Sequence, residues 1–158
     1  MIFRDAGRDE VPAIVGLLAD DILGADRETG PDDAYWKAFD DIAADPRNRL
    51  IVADAGGQIA GTLQLTLIPG LSRHGLSRAQ IEGVRIAAPW RGQGLGRAMI
   101  GWAIEEARRS GCGLVQLTSD KRRANAIRFY EALGRAGAYR AATAAAMASS
   151  TLSPLASR

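Results

Sequence analysis

Residues 89–99 read PWRGQGLGRAM. Three glycines at alternate positions, Gly92, Gly94 and Gly96, lie between two arginines, Arg91 and Arg97. Glycine lets the backbone turn through positive φ and come close to another molecule. Arginine beside such a turn points to an anion. The stretch that follows, 95–109, carries Leu95, Met99, Trp102, Ala103 and Ile104 at helical spacing, which predicts an amphipathic helix ended by Gly111 or Gly113. The loop therefore opens a helix. Its first N–H groups have no acceptor within the helix, and the dipole adds positive charge there. That is the physics of an anion cradle. A Walker-type loop would need Gly-Lys-Ser/Thr, which is absent. A dinucleotide loop needs G-x-G-x-x-G, and counting from Gly92 the last position falls on Arg97. What remains is Arg-x-x-Gly-x-Gly at Arg91, Gly94 and Gly96, set against the plain alternative of a tight connection.

Working outward, 79–87 reads as a long strand leading into the loop, and 114–119 (LVQLTS) as a short buried strand after the helix. Upstream, 49–55 and 58–68 are strands joined by a Gly56-Gly57 turn. A short strand over 2–6 opens the chain. A helix over 10–23 follows, with Asp9 as its N-cap, and another starts near Pro31 with Tyr35, Trp36, Phe39 and Ile42 as its stripe. Residues 69–78 read as a loop and 123–133 as a last helix. The order predicts an α+β domain: an antiparallel meander feeding a βαβ unit.

The 158 residues fit one domain, with 47% hydrophobic and 24% charged residues. A net charge of +2 gives no reason to expect nucleic acid or a membrane surface as partner. One cysteine, Cys112, rules out an internal disulfide and fits a reducing compartment. The opening MIFRDAGRDE has early charge and no apolar core, so no secretory leader is expected. No apolar run reaches the ~18 residues a membrane span needs. The expected location is cytoplasmic. No metal-ligand spacing stands out.

The loop and a second stretch, LTSDKRRANAIRFYEALG (117–134), together resemble the GNAT superfamily of acyl-CoA-dependent N-acyltransferases. That family's Q/R-x-x-G-x-G/A signature lies between the fourth strand and the third helix. The order of elements matches from residue 1 to about 134. The resemblance implies a mainly antiparallel mixed sheet with splayed central strands flanked by helices. It also implies acetyl-CoA as cosubstrate and no metal. The pyrophosphate would be cradled by Arg91, Gly92, Gln93, Gly94, Leu95, Gly96 and Arg97. The backbone of Val84, Arg85 and Ile86 would line the thioester, and Asn125 and Phe129 would contribute from the following helix.

The chemistry implied is direct attack of a primary amine, of a small molecule or a peptide, on the thioester in a ternary complex. Tyr130 matches the family's helix tyrosine and would protonate the leaving thiolate; the alternative is a core tyrosine. Glu82, read as sharing a strand face with Val84 and Ile86, is a candidate general base or a carboxylate that only binds the amine. His74 reads as an exposed loop residue. Residues 20–45 hold many carboxylates (Asp20, Asp21, Asp26, Glu28, Asp32, Asp33, Asp40, Asp41, Asp45). They form either an acidic wall for a cationic acceptor or a solvated helix face. A homodimer is a candidate assembly.

The resemblance stops at Gly134. The family continues into an aromatic residue and two strands; here 135–158 is alanine-rich, with no acidic residue and no strand alternation. A divergent tail or a shifted reading frame would each produce this. The expected organisation is a transferase domain over 1–134 and an atypical tail over 135–158, with the C-terminal strand pair missing or altered. Besides an N-acetyltransferase, the sequence allows a catalytically impaired acyl-CoA-binding protein or an interaction module that keeps only the fold.

Overall fold

A computed structural model describes residues 1–20, 30–119 and 141–145. Among these, six strands form one sheet in the order β1-β2-β3-β4-β5-β6. They are β1 (Ile2–Asp5), β2 (Asn48–Asp54), β3 (Ile59–Ile68), β4 (Arg78–Ile86), β5 (Leu114–Ser119) and β6 (Ala141–Ala145). Neighbours from β1 to β4 pair antiparallel; β4–β5 and β5–β6 pair parallel. The helices are α1 (Val11–Ala19), α2 (Asp33–Ala44) and α3 (Leu95–Arg109). This is the mixed, mainly antiparallel α+β sheet expected. No helix among the described residues is long and apolar enough to cross a membrane.

Alternation along the strands separates two faces. Ile51, Leu63, Leu65, Ile81, Val115 and Leu117 form one core with Leu95, Met99, Ile100, Ala103, Ile104 and Ala107 of α3. Ile100 and Ala107 complete a stripe wider than the sequence reading gave it. The opposite face carries Val52 and Thr62 and is covered by α1, whose Val11, Ile14 and Val15 are buried and which lies against β3 and β4.

Three local readings change. Asp9 is not a helix cap. It lies inside a tight turn, Arg8–Glu10, where Glu10 reaches back to accept from the Gly7 N–H at 2.7 Å. The start of α2 is capped by Asp32, which accepts from the Ala34 N–H at 3.0 Å. The alanine-rich tail does contribute a strand, β6, against the outer edge of β5. Alanine has low strand propensity, but an open sheet edge offers backbone partners to any extended segment. Among the described residues, one parallel strand stands where the family was expected to add a pair. The 123–133 helix reading lies outside the described residues.

Candidate active site

The loop folds as its glycines demand. Gly94 is the residue before α3 and sits in the left-handed region at φ +84°; Gly92 is at +75°. A side chain would be strained at either position. The first helical bond of α3 runs from the Ala98 N–H to the Gly94 carbonyl at 3.1 Å. The N–H groups of Leu95, Gly96 and Arg97 precede it and have no acceptor a turn back. Gln93 closes the loop by donating Nε2 to the Pro89 carbonyl at 2.6 Å. Cβ atoms built at Gly92 or Gly94 would meet nothing within 4 Å, so the space beside both is open. A helix N-terminus of this kind favours an anionic group.

The two arginines separate. Arg91 is engaged: Nε donates to the Ile86 carbonyl at 2.9 Å, and Nη2 to the Asp20 carboxylate at 2.7 Å and the Asp20 carbonyl at 3.0 Å. Arg97 is exposed and has no partner among the described residues. The side chain available to an anion in this arrangement is therefore that of Arg97.

Beside the loop the sheet opens. The β4–β5 ladder runs over Arg78–Ile81 and Leu114–Leu117 and stops, although both strands continue. Between Glu82–Ile86 and the end of β5, backbone groups facing the gap lack the ladder partners that a closed sheet gives them. Val84, Arg85 and Ile86 stand on this splayed edge of β4.

Glu82 does not share a face with Ile86. Opposite β3, Gln64 pairs with Glu82 and Thr62 with Arg85, so β4 carries one residue more than β3 over this stretch. Gly83, at φ +63°, supplies the left-handed turn such a bulge needs. Past the bulge the alternation shifts by one. Ile86, opposite Gly61, stays with Ile81 on the α3 face, and Val84 packs there too. Glu82 and Arg85 fall together on the α1 face. A lone glycine inside a strand pattern is the signal that could have predicted this.

The α1 face near the gap is polar. One rung across four strands is Asn48, Thr66, Gln80 and Gln116. Thr66 donates its hydroxyl to Asn48 Oδ1 at 2.7 Å, and Gln116 donates Nε2 to Gln80 Oε1 at 2.5 Å. The next rung toward the opening is Leu50, Gln64 and Glu82. Glu82 is exposed; Gln64 and Gln116 are half-buried. These amides were not anticipated from the sequence, because single glutamines in strands carry no motif.

The acidic-wall reading loses most of its support. Asp20 pairs with Arg91, Asp40 with Arg8, Asp41 with Lys37 and Asp45 with Arg47, while Asp32 caps α2. The Arg8 guanidinium holds the Asp40 carboxyl below its usual range, and the Arg47 backbone N–H does the same for Asp45. These carboxylates build the helix face. Asp21, Asp26 and Glu28 lie outside the described residues, as do Asn125, Phe129 and Tyr130. His74 is exposed in a short helical turn, Ser72–Gly75, away from the opening in the sheet. Burial pushes the Cys112 thiol up, which keeps it a poor nucleophile.

A sheet that splays beside a glycine-lined helix N-terminus defines the acyltransferase class of fold. The acetyltransferase (GNAT) family pattern matches residues 16–134, and the chain belongs to that family. The aminoalkylphosphonate N-acetyltransferase of Salmonella typhimurium is 33% identical over 97 residues, 61% of this chain and 62% of that protein. The glucosamine 6-phosphate N-acetyltransferase of Trypanosoma brucei brucei is 37% identical over 78 residues, 49% of this chain and 51% of that one. The chain thus spans less than two thirds of either curated relative. A crystal structure of a Bacillus halodurans C-125 protein, described as a transcriptional regulator, superposes with a TM-score of 0.82. It is 46% identical and covers 84% of this chain and 91% of its own.

Proposed function

We propose that this protein transfers an acetyl group from acetyl-CoA to the primary amine of a small molecule. The observation that carries the reading is the end of the β4–β5 ladder at Ile81 and Leu117, at the foot of a strand that leads straight into the open N-terminus of α3. Acetyl-CoA supplies the acetyl thioester. The N–H groups of Leu95, Gly96 and Arg97, with the Arg97 guanidinium, hold its pyrophosphate. Arg91 fixes the loop to β4 and to the end of α1. Backbone N–H groups of the Val84–Ile86 edge take up charge that builds on the carbonyl oxygen.

Glu82, on the face opposite α3, binds the incoming ammonium and takes its proton. The amine nitrogen then bonds to the carbonyl carbon as the carbon–sulfur bond breaks; Tyr130 gives its phenolic proton to the sulfur and is restored by the second proton that the nitrogen sheds as the neutral amide forms. Asn125 and Phe129 belong to the same cosubstrate site. The transferase unit is residues 1–134; the tail has no part in this chemistry. Both curated relatives are named for acceptors that join an amine to a phosphorus oxyanion. A small amine of that kind is the acceptor proposed here.

The test is a calorimetric titration with acetyl-CoA followed by thiol release with aminoethylphosphonate and glucosamine 6-phosphate as acceptors. Binding with amine-dependent release supports the reading. Binding without release identifies an acyl-CoA-binding protein, and absence of binding leaves a fold kept for interaction alone. In the active enzyme, Tyr130→Phe should lower kcat at least tenfold with little change in the acetyl-CoA Kd, within the ~10²–10⁴-fold range of general acid catalysis.

A further inference from the structure

We infer that Gln64 recognises the acceptor beyond its amine: the side-chain amide donates to an oxygen that the acceptor carries a short chain away from its nitrogen. This rests on the acetyltransferase reading and adds to it the residue that sets acceptor specificity. Gln64 stands directly opposite Glu82 across β3 and β4, on the α1 face. The Cβ atoms of such a pair lie about 4.5–5.5 Å apart. The rung falls one residue past Ile81, where β4 has parted from β5. Counted from the gap, the carboxylate on β4 comes first, and the amide on β3 lies one strand spacing, about 4.8 Å, behind it. An amine held over Glu82 with its nitrogen toward the gap lays its carbon chain toward Gln64. Leu50 on β2 continues the same rung and is apolar, so the polar floor in this direction ends at Gln64. A polar group within about one strand spacing of the amine finds the amide, and a more distant one meets leucine.

Gln64 differs from the polar side chains around it in having its amide unengaged. Its neighbours on this face satisfy one another or the backbone. Thr66 bonds Asn48, Gln116 bonds Gln80, and Thr62 donates its hydroxyl to the Ile51 carbonyl at 3.0 Å. Among the described residues, Gln64 and Glu82 hydrogen-bond neither each other nor any third group. Gln64 is half-buried, yet neither polar atom of its amide is shut off from solvent without a partner. The stem is therefore held by the sheet while the amide faces outward. A primary amide offers two N–H donors and does not titrate, so it can bond a phosphonate, phosphate or hydroxyl oxygen in any charge state of the acceptor. The rung thus presents a carboxylate for the ammonium and, one strand away, a neutral donor for an oxygen.

The experiment compares aminoethylphosphonate with n-propylamine, which keeps the amine and the chain and lacks the oxygens. In wild type, kcat/KM should favour aminoethylphosphonate at least tenfold, the discrimination expected of one hydrogen bond to a charged group. Gln64→Met keeps the length of the side chain and removes its donor, and should cut that ratio about tenfold. Gln64→Glu puts a negative charge where the donor stood and should cut it further. A role in packing alone would lower both acceptors alike. A ratio unchanged by Gln64→Met or raised by Gln64→Glu, or a wild type that prefers propylamine, overturns the assignment. Acceptor binding, measured by calorimetry on the CoA-loaded protein, is read independently of turnover. If aminoethylphosphonate binds wild type and Gln64→Met weakens it about tenfold with the affinity for CoA unchanged, Gln64 holds the acceptor even where no acetyl transfer is seen. If aminoethylphosphonate fails to bind, or binds both forms alike, the assignment is wrong whatever the fate of the transferase reading.

Discussion

The guanidinium of Arg91 ties the end of β4 to the end of α1, bonding the Ile86 carbonyl at 2.9 Å and the Asp20 carboxylate at 2.7 Å. The residue that opens the loop signature is therefore a bracket between β4 and α1. Both side chains are about half exposed, so the pair contributes under ~1 kcal/mol to global stability. Asp20→Asn should leave Tm nearly unchanged. It should loosen the last turn of α1, where the Asp20 N–H donates to the Gly16 carbonyl, and faster amide exchange at that turn is the measurement. A large fall in Tm would show that the bracket carries more than a local contact.

The same bracket ranks the two arginines as phosphate ligands. Arg97→Ala should weaken acetyl-CoA binding by about tenfold, as expected for one charge-assisted contact. Arg91→Ala should cost less, because its guanidinium already has three acceptors. Calorimetry on the two variants checks the order, and the reverse order would contradict the assignment.

Gly94 and Gly96 should fail in different ways. Gly94 needs φ +84°, so Gly94→Ala should destabilise the fold by about 1–2 kcal/mol besides disturbing the loop. Gly96 lies in the first turn of α3 and is not among the glycines at positive φ. Gly96→Val should therefore act mainly on acetyl-CoA affinity, weakening it at least tenfold, or ~1.4 kcal/mol. Thermal melts paired with titrations separate the two effects.

Acid should unfold the protein through a charged cluster at the start of the chain. Arg4 binds both oxygens of Glu10, at 2.7 and 2.9 Å, and Asp54 at 2.8 Å. The Arg4 hydrogen bonds hold the Glu10 carboxyl below its usual range; for Asp54 the Gly57 N–H is the larger cause, with Arg4 second. A depressed carboxylate pKa contributes stability that is fully present above the unfolded value of about 4 and lost as pH falls through the folded one. Tm should fall as pH drops below about 4, and Glu10→Gln should flatten that fall while lowering Tm at neutral pH. Parallel Tm–pH curves for the two proteins would place the acid sensitivity elsewhere.

How much of this was legible depended on punctuation. The span of α3, 95–109, and of β5, 114–119, coincide with the sequence reading, because Gly94 and Gly111 mark the helix ends and the clustered Leu114, Val115 and Leu117 mark the strand. The loop's conformation was legible because glycine spacing is itself a backbone requirement. The facing of Glu82 was not, since period-two counting assumes no bulge and Gly83 introduces one. The cap at Gly7 escaped because Asp9 has the better capping side chain, yet Glu10 makes the contact and is held by Arg4. β6 escaped because its residues favour helix, whereas the open edge of β5 rewards any extended backbone.

Direct transfer requires both substrates to be held together at the splayed strands. Initial rates of thiol release, measured with acetyl-CoA and aminoethylphosphonate both varied, test it most directly. A ternary complex gives amine-dependent release and reciprocal plots that intersect. Parallel plots, which report an acetylated enzyme, or release that ignores the amine, would contradict it.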